Sequence, residues 1–352
     1  NGHATTYRSL LRGLAELGNS VLFLERDVPW YAGNRDVHQV PYAQTQIYES
    51  LDDLRDRFTE AVRRADLVIV GSFVPQGVAV CRWVLDNARG VTAFYDIDTP
   101  VTLSMLASGD YRHFVPSLIP QFDLYLSFTG GPMLRHLESV YGAARARALY
   151  CAVDEQIYFP EKAHEKWSLA YLGTYSQDRQ PALENLLLQP ALQSPEDRFA
   201  VAGPMYPENI LWPPNVDRID HLAPANHREF YSAQRFTLNI TRSDMIRAGY
   251  SPSVRLFEAA ACGTPLISDS WPGLEEFFTP GREILIAHSA ADVVSYLQGV
   301  PEEHRRRIAC AARQRTLARH TSVHRASELL GYFLEAAPGR LTSGQWPVAS
   351  GQ

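Results

Sequence analysis

The sequence predicts two doubly wound α/β domains that follow one another along the chain. Short apolar segments rich in Val, Ile, Leu and Phe alternate with longer segments of helical periodicity. The short segments are apolar on both faces, as buried parallel strands are. The alternation restarts after a polar, proline-containing segment at 160–167. With 352 residues, of which 45% are hydrophobic, the chain is long enough to form two cores.

The first half is predicted to form one domain over residues 1–158. Its strands are predicted at 21–25, 66–72, 91–98, 124–128 and 148–153, and its helices at about 5–18, 51–65, 76–88, 131–140 and within 102–120. The chain opens on Asn1-Gly2-His3, which is typical of the turn after a first strand. We therefore expect a strand before Asn1 in the natural protein; the alternative is a domain that begins with a helix.

The second half is predicted to form a similar domain over residues 168–320. Its strands are predicted at 168–173, 198–203, 215–222, 236–241, 265–269 and 283–288, and its helices at about 179–192, 224–234, 252–262, 290–298 and 301–319. Within the last segment, 321–352, we expect a helix at 322–335 that crosses back onto the first domain. Ligands of open α/β sheets bind outside the carboxyl ends of the strands, so candidate site residues are sought there.

The composition argues against several classes of function. The chain has 33 Lys and Arg against 39 Asp and Glu, a net charge of −6, whereas nucleic-acid-binding proteins usually carry a basic face. No apolar run reaches the roughly 18 residues of a membrane span, and the N-terminus does not resemble a signal peptide. The cysteines are far apart and the histidines are scattered. We expect a cytoplasmic protein with reduced thiols, no metal site and no cofactor.

The segment SPSVRLFEAAACGTPLISD, residues 251–269, places a carboxylate among alanines. Ser251 is predicted to cap a helix whose first turn contains Pro252, and Gly263 to end it. The N-terminus of such a helix is an anion site, because its N–H groups are free and its dipole is positive there. The buried or half-buried Glu258 needs a partner. That partner is either Arg255, three residues earlier on a solvated face, or the hydroxyl groups of a ligand.

The residues RLFEAAACGTPLISD, followed by GLEEFF and PGREILI, resemble the donor-site segment of GT-B glycosyltransferases. They are most similar to the bacterial CgeB-like, spore-maturation glycosyltransferases, which the opening GHATTYRSLLRGLAELGN also resembles. The resemblance implies two Rossmann-like domains that face each other across a cleft. It implies a nucleotide-sugar donor in the second domain and an acceptor, either a glycan, a protein or a small molecule, on the first.

By this resemblance Glu258 binds the ribose hydroxyl groups of the donor, and Arg255 supports Glu258 or reaches a phosphate. Ser251 and Ser253 are expected beside the donor at the helix N-terminus. Many retaining enzymes of this kind have a second Glu eight residues before the ribose Glu, and this chain has Tyr250 there. A tyrosine still offers a hydroxyl group, but the departure leaves retention or inversion of the sugar configuration open.

Two further segments are candidates for binding the donor diphosphate. In GTYSQDR, 173–179, Gly173 permits close approach of the backbone to a phosphate, with Thr174 beside it, and Arg179 can neutralise the phosphate charge. The alternative is an ordinary turn with a surface arginine. Arg242, directly after a predicted strand end, is the second candidate for the pyrophosphate.

Candidates for the catalytic base lie in the first half. In YDIDTP, 95–100, Asp96 and Asp98 alternate with apolar residues, so we expect both carboxylates on the cleft side of the sheet. The alternative for Asp98 is to cap the helix that follows it. His3, in the opening turn, is expected to touch the donor or to act as the base; a histidine near a terminus also commonly has no role.

The predicted function is therefore transfer of a sugar from a nucleotide-diphospho-sugar to an acceptor nucleophile. One alternative is a sugar-nucleotide epimerase of the same fold, and another is a non-catalytic surface or spore-layer protein that keeps the fold. A nicotinamide enzyme is disfavoured, because no GxGxxG follows a strand. Whether the chain forms a homodimer is left open.

Overall fold

A computed structural model describes residues 2–28 and 39–337, with the backbone alone at residues 2 and 3. The strands of the first half are β1 (Leu22–Arg26), β2 (Gln44–Tyr48), β3 (Leu67–Gly71), β4 (Val91–Asp96), β5 (Leu124–Ser127) and β6 (Ala146–Ala148). Its helices are α1 (Gly2–Glu16), α2 (Leu51–Arg64), α3 (Gly77–Asn87), α4 (Thr99–Ala107) and α5 (Pro132–Ser139), with a 3₁₀ turn at Pro116–Gln121. Strands β3 to β6 form a parallel sheet in sequence order, and β1 pairs with β2 in a second parallel sheet.

The second half contains a six-stranded parallel sheet. Its strands are β7 (Trp167–Leu172), β8 (Phe199–Ala202), β9 (Val216–Ile219), β10 (Gln234–Asn239), β11 (Leu266–Ser268) and β12 (Leu285–Ile286). Their order across the sheet is β12-β11-β10-β7-β8-β9. The chain runs outward from β7 to β9 and then returns to β10 beside β7. The point between β7 and β10, where the strand order reverses, is where ligands of such sheets bind.

The remaining helices lie in the second half of the sequence. They are α6 (Gln180–Leu183), continued by a π-helical turn at Glu184–Leu188, α7 (Gln189–Gln193), α8 (His227–Ser232), α9 (Ser243–Ala248), α10 (Val254–Ala261), α11 (Ala290–Gly299), α12 (Glu302–Arg319) and α13 (Ser322–Ala336). None of the helices within the described ranges is long and apolar enough to cross a membrane.

Helix α13 packs on the first domain rather than on the second. Its buried side chains contact Leu10 and Leu14 of α1. The hydroxyl groups of Ser9 and Ser322 are 2.8 Å apart. A Cβ atom on Gly13 would lie 2.1 Å from the carbonyl oxygen of Ser322, so the two helices approach too closely there for any larger residue.

Several elements differ from the prediction, each for a local reason. The apolar segment at 148–153 is largely not a strand: β6 ends at Ala148, and the buried residues that follow lead to a single bridge between Val153 and Thr321. Its apolarity reflects burial between the two halves. Strand β2 and helix α9 were not predicted, because QTQIY is polar and SDMIRA is only six residues long.

Candidate functional site

Two loops meet at the carboxyl ends of β7 and β10. One is 173–179, after β7, and the other is 240–243, after β10. The Asp178 carboxylate accepts a hydrogen bond from the Ser243 backbone N–H at 2.9 Å. Because β7 and β10 are neighbours in the sheet, this bond joins the two loops into one wall at the switch point.

Glycines allow the loop after β8 to approach the same place. A Cβ atom on Gly203 would lie 2.2 Å from the Gly173 carbonyl oxygen, and Gly203 has a φ of +136°, which favours glycine. A Cβ atom on Gly173 would lie 2.4 Å from the Tyr171 hydroxyl oxygen. Thr174 is exposed on this edge, and its carbonyl oxygen accepts a bond from Arg179 Nη2 at 2.6 Å. Gly173, Thr174 and Arg179 are thus brought together as the sequence predicts.

Arg179 and Arg242 share a feature that Arg235 and Arg325 also have. In both guanidinium groups Nε is buried and has no hydrogen-bond partner. A buried charged donor without an acceptor is unfavourable, by about 1–3 kcal/mol or more. The two residues lie on the joined loops, and Arg242 directly precedes α9. The wall therefore carries two cationic donors that a bound anion would satisfy.

Arg179 also lines a small recess that has no room for a water molecule. Tyr171, Gln180 and Tyr206 line the same recess. The Tyr171 hydroxyl and the Gln180 Oε1 are buried and, like Arg179 Nε, have no partner. Three unsatisfied polar atoms therefore lie around one recess.

The start of α10 corrects the prediction for Ser251. The N-cap is Ser253, whose hydroxyl accepts from the Arg255 backbone N–H, and the helix begins at Val254. Ser251 is only 4% exposed, and its Oγ lies 2.5 Å from Thr129 Oγ1 in the first domain. Ser251 therefore joins the two halves, while the anion-binding end of the helix belongs to Ser253.

Tyr250 lies at the same junction between the halves. Its φ is +49°, and its backbone carbonyl accepts from the Gly130 N–H at 3.0 Å. A Cβ atom on either Gly131 or Gly273 would lie 2.4 Å from the Tyr250 ring. The ring is held between a glycine of each domain, at the position where the sequence departs from the family pattern.

Arg255 does not support Glu258, contrary to one expectation. Its Nε donates to the Leu172 carbonyl at 2.5 Å, and its Nη1 donates to Asn239 Oδ1 at 2.8 Å. The guanidinium group also stacks over the Tyr171 ring at 4.7 Å. Arg255 is 7% exposed and ties the ends of β7 and β10 together.

Glu258 lies in the interior rather than on a solvated helix face. It is 3% exposed, and its Oε2 accepts a hydrogen bond from the Tyr231 hydroxyl at 3.0 Å. Burial, and next the charge of Glu258, raise the pKa of Tyr231 well above its usual value, so the phenol stays protonated and donates. One oxygen of the carboxylate therefore accepts a hydrogen bond from a tyrosine of α8. That Glu258 binds the ribose of a donor stays a prediction.

Asp96 is not the candidate base that the sequence suggests. It is completely buried, and its oxygens accept from Thr102 Oγ1 at 2.8 Å, Tyr125 OH at 2.6 Å and the Asp98 N–H at 3.2 Å. Burial raises its pKa to about 6, although these hydrogen bonds oppose the shift. With both oxygens engaged inside the protein, Asp96 holds β4, β5 and α4 together.

Asp98 is half-buried at the N-cap position of α4, and its side chain makes no capping hydrogen bond. Helix α4 contacts α9, the helix that follows Arg242. The role of Asp98 as the base stays a prediction. The side chain of His3 lies outside the described residues.

Sequence reasoning missed Tyr231 and Asp269. Asp269, after β11, accepts from the Thr241 N–H and Oγ1, both at 2.8 Å, and thereby fixes the loop that carries Arg242. Burial raises the pKa of Asp269. The signal for Tyr231 was a tyrosine on the apolar face of a short helix, since a buried phenol needs a hydrogen-bond partner. Over the described ranges, no group of three His, Cys, Asp or Glu residues is arranged to hold a metal ion.

Residues 179–331 match the family described as Glycosyl transferase-like. The matched segment is less than half of the chain. No curated protein matches the chain in sequence.

Solved structures resemble the chain over nearly its whole length. Sucrose-phosphate synthase from Thermosynechococcus elongatus is 14% identical, with a TM-score of 0.66 over 95% of this chain and 93% of that one. HepE from Anabaena, solved with UDP and glucose, is 12% identical, with a TM-score of 0.67 over 94% and 96%. BGT of phage T4, solved with UDP-glucose, is 11% identical, with a TM-score of 0.59 over 93% and 92%. The chain therefore has the GT-B glycosyltransferase fold.

Proposed function

We propose that the protein is a glycosyltransferase that moves a hexosyl group from a nucleotide-diphospho-sugar to an acceptor hydroxyl. The observation that carries the proposal is the pair of buried, unpartnered Nε atoms of Arg179 and Arg242 on two joined loops at the switch point. Two cationic groups on joined loops match the two phosphates of such a sugar donor. The similarity of the motif RLFEAAACG to CgeB-like enzymes supports the same family of reactions.

In the proposed reaction the acceptor oxygen forms a bond to the anomeric carbon of the sugar. The bond between that carbon and the phosphate oxygen breaks, and the nucleoside diphosphate leaves with the electron pair. Asp98 takes the proton of the acceptor hydroxyl. Arg179, Arg242 and the N-terminus of α10 stabilise the charge on the departing diphosphate. Because arginines meet this charge, we propose that no metal ion is required.

The remaining candidates take supporting places in this proposal. The backbone at Gly173 and Thr174 comes close to a phosphate of the donor. Glu258 binds the ribose hydroxyl groups. Tyr250 orients the donor sugar from the domain junction, where its ring is already held between Gly131 and Gly273. Ser253 caps α10 and leaves the other N–H groups of the first turn for the phosphate.

The proposal is tested by finding the donor. A thermal-shift screen with UDP, GDP, dTDP and CMP identifies the nucleotide, and the matching nucleotide sugar is then incubated with and without acceptors. We expect a rise in thermal midpoint with one diphosphate, and release of that diphosphate only when an acceptor is present. A new sugar isomer formed from the donor alone would identify an epimerase instead. No shift with any nucleotide would contradict the proposal.

A further inference from the structure

Two carboxylates hold the backbone on either side of Arg242. The Thr241 N–H donates to Asp269 Oδ2 at 2.8 Å. The Ser243 N–H donates to Asp178 Oδ2 at 2.9 Å. Asp269 follows β11 and Asp178 lies in the loop after β7, and these two strands are the neighbours of β10 in the sheet. The loop after β10, which carries Arg242, is therefore held from both neighbouring strands.

The hydrogen bonds on the β11 side lie in the interior. Asp269 and Thr241 are both buried, and Asp269 Oδ1 accepts from the Thr241 hydroxyl at 2.8 Å. The Ser268 hydroxyl also contacts this oxygen, at 3.2 Å, so both carboxylate oxygens are engaged inside the protein. Asn239 Nδ2 donates to Thr241 Oγ1 at 3.3 Å. Because a satisfied buried network rigidifies the residues that it includes, Thr241 is fixed directly before Arg242.

On the β7 side, Asp178 bonds an N–H group at the start of a helix. Arg242 occupies the N-cap position of α9, and an arginine side chain has no acceptor for the free N–H groups of a helix start. The Asp178 carboxylate accepts from the first of these groups, at Ser243. Asp178 is exposed, so water competes for this bond, whereas Asp269 is buried. We therefore expect Asp269 to have the larger effect.

The two carboxylates bond to the backbone rather than to the side chain of Arg242. Its Nε is buried and has no partner, although both flanking N–H groups have one. A carboxylate bonded to the guanidinium group would compete with a phosphate for that group. The observed arrangement orients the arginine and leaves Nε available to an anion.

We propose that Asp269 and Asp178 are positioning residues, which hold the backbone around Arg242 so that its guanidinium group meets a phosphate of the donor. The inference rests on the proposed function, because it concerns the diphosphate site of the same reaction. Neither carboxylate touches the phosphate. Both act through Arg242, and Thr241 transmits the effect of Asp269.

The test uses inorganic pyrophosphate, which carries two linked phosphates without a sugar or a base. Calorimetry in magnesium-free buffer gives its affinity for each variant alone and for the same variant combined with Arg242→Ala. Loss of a positioning bond should weaken binding about tenfold when Arg242 is present and about twofold or less when it is absent. A purely structural role would weaken binding alike in both backgrounds.

Thr241→Val is the main variant, because it removes the hydroxyl bond to Asp269 without changing the charge near the anion. Thr241→Ser keeps the hydroxyl group and should bind pyrophosphate as the wild type does. Thermal unfolding shows whether each variant is folded. If Thr241→Val does not fold, Asp178→Asn at its exposed position provides the same comparison, with an expected effect of about threefold that also depends on Arg242.

Asp244→Asn is the matched control. Asp244 lies two positions after Arg242, and its carboxylate pairs with the exposed side chain of Arg247. This variant should give the same pyrophosphate affinity ratio with and without Arg242. The inference is overturned if Thr241→Val binds pyrophosphate like the wild type, if it weakens binding equally in both backgrounds, or if Asp244→Asn gives the same result.

The proposed function is tested separately by incubating the same samples with nucleotide sugars and acceptors. If sugar transfer occurs and the loss of pyrophosphate affinity does not depend on Arg242, the positioning inference alone is overturned. If the dependence is found and no nucleotide sugar is used, the glycosyltransferase proposal is wrong, while the positioning of Arg242 for an anion stands. If pyrophosphate does not bind to the wild type, the positioning inference is overturned.

Discussion

The strand ends of the two halves are built differently. At the ends of β4 and β5 in the first half, Asp96, Thr102 and Tyr125 satisfy one another in the interior. At the ends of β7 and β10 in the second half, Arg179 and Arg242 keep buried nitrogens without partners. At these strand ends, the polar groups of the first half bond to one another, whereas two arginine nitrogens of the second half have no partner.

This comparison indicates which half of the protein can bind the charged group of a substrate. Satisfied buried polar groups rigidify a fold, whereas unsatisfied ones raise its free energy until a ligand meets them. The second half is thus suited to an anion. The first half has, at Asp98, a half-buried carboxylate.

The largest expected effect comes from Asp98, the half-buried carboxylate at the start of α4. Asp98→Asn should lower kcat by about 10²- to 10⁴-fold, because general-base catalysis contributes that much. The affinity for nucleoside diphosphate should not change. Asp86→Asn, at an exposed position on α3, is the control. A kcat within a few fold of wild type would remove Asp98 as the base.

Replacing either arginine should remove one of the unpartnered cationic groups that distinguish these strand ends of the second half from those of the first. Arg179→Ala and Arg242→Ala should each weaken diphosphate binding by about 1.5–3 kcal/mol, roughly ten- to hundredfold, since each loses a charge-assisted hydrogen bond. Calorimetry should show no such loss for the nucleoside without phosphates.

Arg247→Ala is the matched control for these variants, because Arg247 lies on α9 with a side chain that is 75% exposed. If Arg247→Ala weakened binding of the diphosphate as much as Arg242→Ala does, the unpartnered arginines of the second half would not explain that binding.

Substitutions of Glu258 test whether this residue contributes both to the stability of the fold and to nucleotide binding. Glu258→Ala leaves the buried Tyr231 hydroxyl without an acceptor and should lower the free energy of unfolding by about 1–3 kcal/mol. Glu258→Gln keeps an acceptor and should recover most of this stability, while still weakening nucleotide binding. Urea unfolding and calorimetry measure the two effects; equal stability of the two variants would show that the Tyr231 bond contributes nothing.

The smallest effect concerns the pH dependence of Asp96. Its pKa is about 6 in the folded protein and 3.8 as its ordinary value, so the folded state binds the proton more tightly. This contribution to stability is complete below pH 3.8 and is lost as the pH rises through about 6. The wild type should therefore lose stability relative to Asp96→Asn between these pH values. A constant difference between the two unfolding free energies across this range would contradict the shift.

Much of the fold was predictable because parallel strands buried on both faces are recorded in the sequence as apolar runs. The GT-B fold, which the resemblance of the motif implied, is confirmed by the similar solved structures. The segments around Gly173, Arg179 and Arg242 lie together. Burial of individual polar groups was not predictable. Alternation in YDIDTP suggested that Asp96 and Asp98 share one side, but β4 ends at Asp96, so the alternation of a strand does not extend to Asp98.

Hydrogen-bond and packing partners from distant parts of the chain could not be predicted from the sequence either. The Tyr231 bond to Glu258, the Thr129 contact with Ser251 and the two glycines around Tyr250 arise only when separate loops meet in space. The CgeB-like relationship, the predicted strand before Asn1 and the role of His3 stay predictions.

The most direct test of the account is a crystal structure with the nucleoside diphosphate that gives the largest thermal shift. The account predicts phosphate oxygens within hydrogen-bond distance of Nε in both Arg179 and Arg242, at the carboxyl ends of β7 and β10. A diphosphate bound elsewhere, with both Nε atoms still lacking a partner, would contradict it.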